Sequence, residues 1–385
     1  MRTIKELQAR LNPKNSFEQR YNIEADDKIH LLYVSPKLNA TGYYRSIIPA
    51  LEINKSITHK AIITSIETND FSRKLSDFVN QLDERLIAWA DYIIFPPLFS
   101  DVTYLIQAIK TLNPAVQLVM DLDRNYFAVP VSIPLSRKLT NDKLKCLENN
   151  LGLMDMVIVA NEALQKFLQR FIDDRLENAH TFVQYLPVLV SRYGYEEMPP
   201  LTRNASDKLR VGFIKPTEED LLSLKEVLFK MRAALKDKIQ FVCLGKPHSS
   251  KEGDLLLEEI DCEIHDSVSF LDYFEKLNNL QLDIVLLPAK DGLFNRHQNS
   301  KLFLELSVFG IPVVASIHHP AKAFIKDGET GFIASEVPEW LDIITTISNE
   351  DVEYKSLLSS FIVKSIWKSH SYSLTNIENL KDTFI

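Results

Sequence analysis

"NRHQNSKLFLELSVFGIPVVAS", from Asn295 to Ser316, reads as a loop, a short helix, a turn and a buried strand. Asn299 and Ser300 are residue types that accept hydrogen bonds from the first N–H groups of a helix, so the helix starts there. Gly310 followed by Pro312 is the punctuation that stops one. "IPVVAS" is short, apolar and unbroken, as strands covered on both faces of a parallel sheet are. Lys301 and Glu305 fall one turn apart on one face of the helix, while Leu302, Leu306 and Phe309 lie on another and pack. Two charges at the head of a core-packing helix need a reason.

The same grammar recurs on both sides. Val/Ile-rich runs at 29–35, 60–66, 90–97, 116–123 and 154–160 are strand candidates, with helical patterns such as "TYLIQAIKTL" and "EALQKFLQRFI" between them. A proline-bearing stretch interrupts the alternation, which restarts at 209–215, 239–245, 283–289, 311–316 and 330–335. Strand–helix alternation repeated this way predicts doubly wound α/β sheets. The expected organisation is an N-terminal extension over 1–28, a Rossmann-like domain over 29–190 and a linker over 191–208. A second Rossmann-like domain follows over 209–355, and a helical segment over 356–385 crosses back to the first. Open α/β sheets bind ligands at the carboxyl ends of their strands, so two such domains are expected to face a central cleft.

The chemistry of the 301–308 region follows from its position. A helix start offers unpaired N–H groups and a positive dipole end, a seat for phosphate. Lys301 adds a point charge beside it, and Glu305, one turn deeper, can accept hydrogen bonds from vicinal hydroxyls such as those of a ribose. The competing reading is a solvated surface Lys–Glu pair, worth about 0.3–0.5 kcal/mol.

"SKLFLELSVFGIPVVAS", with "IKDGETGFIA" at 325–334, resembles the donor-site signature of the retaining GT-B glycosyltransferases, a group that includes the GT4-like family. Gly310, Pro312, Val313, Val314, Ala315, Asp327, Gly328 and Gly331 all fit it. The resemblance implies two Rossmann-like domains, a nucleotide sugar as donor substrate, no cofactor and no bound metal. It maps the ribose-binding glutamate onto Glu305. Many members carry an earlier glutamate eight positions before; here His297 stands in that place. A subgroup that this chain resembles has instead an aspartate and then Phe-Asn leading into Ser-Lys, matched here by "DGLFNRHQNSKLFLE" (291–305), and a Tyr-Arg pair near its N-terminus, matched by Tyr44–Arg45 in "NATGYYRSIIPALE" (39–52).

Other candidates lie at strand ends. Gly42 permits a close backbone approach or an unusual φ, and Arg45 can reach an anionic group; the plain alternative is a connecting loop. Asp121 and Asp123 in "VMDLDRNYF" read as acceptor-side groups that orient or deprotonate a hydroxyl. The rival is a metal-holding Asp-x-Asp of the GT-A type, and a further alternative is polar strand-end caps. In the family resembled, a basic residue just after the first strand of the second domain helps neutralise the diphosphate. The resemblance puts Lys215, or Lys246 at the next strand end, in that role, although Pro216 replaces the family's glycine-rich turn, and the plain alternative for each is a solvated lysine. The two histidines at 318–319 follow a strand end and read as loop, with a place near the donor sugar as the alternative.

Composition narrows the class. The formal net charge of −8 argues against a nucleic-acid surface, which wants a basic face. Cys146, Cys243 and Cys262 show neither pairing nor metal spacing and read as reduced thiols of a cytosolic protein. No window approaches the roughly 18 apolar residues of a spanning helix, which leaves peripheral contact at the inner face of a membrane, or with another glycosyltransferase, compatible with the chain. Together with the resemblance, this gives the expectation of a cytoplasmic transferase that moves a sugar to a glycan, lipid-linked glycan or protein acceptor; the resemblance alone implies a setting such as bacterial surface polysaccharide or glycoprotein assembly. Two alternatives stand beside it: a catalytically silent partner of an active transferase, favoured by His297, and a GT-B epimerase or phosphorylase.

Overall fold

The computed structural model describes residues 2–23, 26–66, 82–177, 179–195, 208–247 and 251–384. They contain two six-stranded, all-parallel sheets. The first comprises β1 (Ile29–Tyr33), β2 (His59–Ile63), β3 (Tyr92–Phe95), β4 (Gln117–Leu122), β5 (Met156–Val159) and β6 (Phe182–Tyr185), in the order 2-1-3-4-5-6. The second comprises β7 (Leu209–Ile214), β8 (Ile239–Leu244), β9 (Glu263–His265), β10 (Ile284–Leu287), β11 (Val313–Ser316) and β12 (Phe332–Ala334), in the order 12-11-10-7-8-9. Counted from β7, that is 3-2-1-4-5-6, the doubly wound dinucleotide-binding order.

The strands form where β-branched residues cluster because both faces of these sheets are covered. Val211, Phe213, Ile239, Phe241, Cys243, Ile284, Leu286 and Val314 fill the second core, with Leu228, Met231, Trp340, Ile344 and Ile362 from helices packed on it. β6 and β9 are the two strands that periodicity does not reveal. Both are sheet edges with partly exposed side chains, so neither needs an apolar run.

Two compact units result, Met1–Phe127 with Leu139–Glu197 and Tyr372–Ile385, and Ala128–Lys138 with Met198–Ser371. Residues 2–10 form a helix that buries Ile4 and Leu7. Helix Val352–Ser369 packs on helix Lys301–Val308 within the second unit. Helix Leu374–Asp382 packs on helix Ile48–Ile53 in the first, and His59 Nε2 donates to the Phe384 carbonyl at 3.2 Å. Most of the expected linker, 196–207, lies outside the described residues. No helix among the described residues is long and apolar enough to cross a membrane.

The 301–316 stretch folds for local reasons. The helix closes in a Schellman motif: Gly310 N–H donates to the Ser307 carbonyl at 2.9 Å and Ile311 N–H to that of Leu306 at 3.0 Å. Gly310 has φ +64°, and a Cβ there would lie 2.1 Å from Ser359 Oγ and 3.0 Å from the Ser359 carbonyl oxygen. Two constraints, left-handed backbone and close approach of helix Val352–Ser369, thus meet at one residue. Gly328 isolates the first constraint, because its φ is +76° but nothing lies within 4 Å of the position a Cβ would take. Gly310→Ala should therefore lower stability by about 2–4 kcal/mol, against about 1–2 kcal/mol for Gly328→Ala. Urea unfolding of the two variants checks this, and equal losses would remove the packing constraint.

Candidate functional site

In the second sheet the connections reverse direction between β7 and β10, the switch point at which doubly wound sheets open a ligand crevice. The chain leaves β7 through Lys215, whose φ is +46° and whose N–H extends the ladder to the Leu244 carbonyl at 2.8 Å. A non-glycine residue held there is a strained one. It does the bending that a glycine-rich turn would otherwise supply. The helix that follows, Glu218–Ser223, is capped by its own residues: Thr217 and Asp220 form a capping box, and Glu218, Glu219 and Asp220 fill the first turn. Three carboxylates on that positive dipole end leave it unsuited to a phosphate. Glu219 also meets Lys290, beyond the end of β10, at 3.1 Å.

The other helix start at this edge is differently built. Lys301 N–H donates to Asn299 Oδ1 at 3.2 Å. Ser300 occupies the cap position, but its side chain makes no capping bond, and its buried hydroxyl finds no hydrogen-bond partner among the described residues. Asn299, and not Ser300, therefore supplies the side-chain cap. Lys301 is half-buried. Glu305 is 3% exposed, between Leu304 and Leu306 at 1% and 0%, which disposes of the solvated surface pair. Tyr273, on helix Phe270–Asn279, donates its hydroxyl to Glu305 Oε2 at 3.1 Å. Lys215 Nζ stands 5.2 Å from the centre of the Tyr273 ring. Lys215, Tyr273 and Glu305 thus meet from three separate elements.

The remaining second-domain candidates divide. Lys246 is exposed and pairs with Asp254 at 3.2 Å. His297 is 4% exposed at the end of helix Leu293–Arg296; burial, then the nearby Arg296 charge, hold its pKa below the ordinary imidazole value. The Asp-Gly-x-x-Gly residues build a turn into the edge strand β12. Asp327 Oδ1 accepts the Ile333 N–H at 2.9 Å, Thr330 Oγ1 accepts that of Lys326 at 2.8 Å, and Gly328 N–H donates to the Gly331 carbonyl at 2.9 Å.

In the first domain the expected loop at 39–46 is helical, and the helix continues to 53. Residues Ala40–Gly42 are α, Tyr43–Ile47 form a π-helical turn and Ile48–Ile53 return to α. Gly42 has ordinary helical φ of −64°. Its requirement is space, since a Cβ would lie 1.9 Å from the Lys37 carbonyl oxygen. The π turn brings Arg45 inward to 5% exposure. Arg45 Nε donates to Asp121 Oδ1 and Oδ2 at 2.8 and 3.1 Å, and its Nη1 to the Leu186 carbonyl at 2.6 Å. Burial works against both charges. Asp121, its hydrogen bond included, nevertheless holds the guanidinium pKa above its ordinary value, and we read the two as an ion pair. Asp123, 1% exposed, accepts from Thr41 at 2.7 Å, Arg124 at 2.7 Å and Tyr126 at 2.8 Å. Both aspartates of the Asp-x-Asp are therefore engaged by side chains of their own domain. A hydroxyl or a divalent ion would have to displace those partners.

Tyr273 and Lys290 escape sequence reasoning. Tyr273 falls on the buried face of its helix with Phe274 and Leu277, so by pattern it is a core aromatic. No spacing shows that its hydroxyl reaches a carboxylate 32 residues on.

No protein-family model matches the chain, and no curated protein sequence matches it. Solved structures do, across nearly its whole length. Sucrose-phosphate synthase from Thermosynechococcus elongatus aligns with TM-score 0.58 at 10% identity, covering 93% of this chain and 98% of that one. Anabaena HepE in complex with UDP and glucose aligns with TM-score 0.56 at 14% identity, covering 92% and 99%. A glycosyltransferase from Rickettsia africae aligns with TM-score 0.57 at 16% identity, covering 93% and 98%. The fold is that of the two-domain GT-B glycosyltransferases.

The buried charges make the first domain testable. Removing one partner of a buried ion pair strands the other charge, so Arg45→Ala should cost about 3–5 kcal/mol of stability, and Arg45→Met with Asp121→Leu should recover most of it. Chemical denaturation checks both; an Arg45→Ala protein of wild-type stability would contradict the pairing. A second expectation concerns acid. His319 is half-buried, its Nδ1 accepts the Ala321 N–H at 3.1 Å, and desolvation holds its pKa down at about 4. Only the neutral ring can accept that bond. The folded pKa lies below the unfolded value of about 6.5, so the unfolded state binds the proton first and stability falls as pH drops from about 6.5 towards 4. His319→Asn should flatten this slope without abolishing it, because burial also lowers His59, His297 and His370. Stability curves at several pH values measure the difference, and identical slopes would exclude His319.

Proposed function

We propose that the second domain binds a nucleoside diphosphate sugar at Lys301, Glu305 and Lys215, and that the protein transfers the sugar to an acceptor. The observation that carries this reading is Glu305: a carboxylate 3% exposed, one turn inside a helix whose start lies at the carboxyl edge of a dinucleotide-type sheet. Burying a charge is costly, and a core helix gains nothing from it unless the carboxylate has a partner to receive. Vicinal ribose hydroxyls are such partners. The diphosphate then falls at the helix start beside Lys301, with Lys215 at the end of β7. As the bond between anomeric carbon and diphosphate oxygen breaks, negative charge develops on the leaving group, where lysines and helix N–H groups stabilise it. A structural neighbour, HepE, is crystallised with UDP-glucose, and that ligand class is the one assigned here.

Retention of configuration, turnover without a divalent ion, and a glycan, lipid-linked glycan or protein as acceptor belong to the same proposal. The nucleotide sugar is a substrate, and no cofactor enters. Arg45 and Asp121 act in it as a brace of the first domain. A second reading, a catalytically silent partner of an active transferase, is favoured by His297, a buried imidazole held neutral where the resembled family carries a carboxylate.

Calorimetry with UDP, GDP and ADP, and nucleoside diphosphate release from their sugars with and without chelator, separate these readings. Glu305→Gln should weaken nucleotide binding by about 1.5–3 kcal/mol, and the free protein, relieved of a buried charge, should be no less stable than wild type. Nucleotide affinity unchanged in Glu305→Gln would remove this residue from the site. Wild-type binding without any donor turnover would favour the silent partner, and turnover abolished by chelator and restored by manganese would return the metal role to Asp121 and Asp123.

A further inference from the structure

Tyr273 is buried among aromatic rings. It is 5% exposed, its ring lies 5.4 Å from Phe274 and 6.5 Å from Phe270, and Phe274 in turn lies 6.3 Å from Phe309. Phe309 is the C-cap of helix Lys301–Val308. The tyrosine is thus locked, through an aromatic pair, to the helix that carries Glu305. From that anchored position its hydroxyl donates to Glu305 Oε2 at 3.1 Å, and Lys215 Nζ lies 5.2 Å from its ring centre, within cation–π range.

We propose that Tyr273 is the positioning residue of the nucleotide site, orienting the Glu305 carboxylate with its hydroxyl and steadying the Lys215 ammonium with its ring; this rests on the reading of Glu305 and Lys215 as ribose and diphosphate groups. A hydrogen bond to one carboxylate oxygen fixes the plane of the group and so the direction from which vicinal hydroxyls must approach. The donor is neutral. It orients Glu305 without cancelling the negative charge, as a lysine or arginine in the same place would. The ring face acts similarly on Lys215: its quadrupole attracts the ammonium without forming the ion pair that a carboxylate would, so the charge remains available to phosphate. One residue therefore links ribose selection to diphosphate selection.

The test uses whichever of UDP, GDP and ADP binds the wild type most tightly, with its 2′-deoxy form and its monophosphate, all by calorimetry. The wild type should prefer the ribonucleotide over the deoxynucleotide by about tenfold or more, the loss expected for a hydrogen bond to a charged group. Tyr273→Phe keeps the ring and removes the hydroxyl. It should cut that preference by about threefold or more and leave the diphosphate-over-monophosphate preference intact. Tyr273→Leu should reduce both preferences. If that variant does not fold, the Tyr273→Phe ratios still decide. In Tyr273→Phe/Glu305→Gln the ribose preference should match that of Glu305→Gln alone, because the hydroxyl acts through the carboxylate. A Tyr273→Phe protein that weakens both nucleotides equally has lost only packing and overturns the proposal. One with wild-type ratios overturns it too, leaving the Glu305 reading standing if Glu305→Gln has lost its ribose preference. A wild type that binds no nucleotide overturns both.

Discussion

A buried carboxylate is the constraint around which the second domain is arranged. Glu305 is 3% exposed, and Phe303, Leu304 and Leu306 beside it are all but inaccessible. A helix chosen only for packing would carry an aliphatic residue there, since the desolvation of a carboxylate costs several kcal/mol even after relaxation. The neighbouring elements are built to tolerate it. Tyr273 donates to it, and the packing of Phe274 against Phe309 ties their two helices together. The Schellman turn at Gly310 stops the helix where it must feed β11. Position at the strand ends follows from topology, because the 3-2-1-4-5-6 order brings the ends of β7 and β10 together at the switch point.

The two helix starts at that edge show how local sequence assigns roles. The helix after β7 caps itself with Thr217 and Asp220 and carries Glu218 and Glu219 in its first turn. That satisfies its dipole internally and repels an anion. The helix at Lys301 carries no acidic residue in its first turn and begins with a lysine. Charge, more than fold, separates the two. The first domain uses its buried charges differently. Arg45, delivered inward by a π turn, pairs with Asp121 and also holds the Leu186 carbonyl. It thereby joins the helix after β1, the end of β4 and the segment beyond β6. π turns occur often at functional positions; here the visible result is a buried brace.

Much of this architecture is legible in the chain because it rests on repeated local signals. Ten of the strands follow Val/Ile-rich runs, since a strand covered on both faces must be apolar throughout. Gly310 and Pro312 mark a helix stop whatever surrounds them. β6 and β9 stay hidden because they are short, partly exposed edge strands with polar residues among their few apolar ones, whereas the other two edges, β2 and β12, keep apolar runs. Residues 39–46 read as loop because glycine and small polar residues open them; the register of Tyr43, Tyr44 and Ile47, all buried, is shifted by the π turn and does not display an ordinary helical stripe. Lys301 and Glu305 are legible as a pair because they are four residues apart. Tyr273, Lys290 and the Arg45–Asp121 pair are not, because each depends on a contact made between distant elements. The Asp-Gly-x-x-Gly residues show the converse case: a motif matched by pattern whose side chains, in place, form a turn into an edge strand.

Everything proposed for the second domain turns on whether Glu305 and the start of helix Lys301–Val308 receive a nucleotide. A crystal structure of the protein with the nucleoside diphosphate that binds it most tightly tests this directly. Ribose hydroxyls are expected within hydrogen-bonding distance of the Glu305 carboxylate, with the Tyr273 bond retained, and diphosphate oxygens at the Lys301 N-terminus within reach of Lys215. A nucleotide bound elsewhere, with the Glu305 carboxylate contacting only protein, would contradict it.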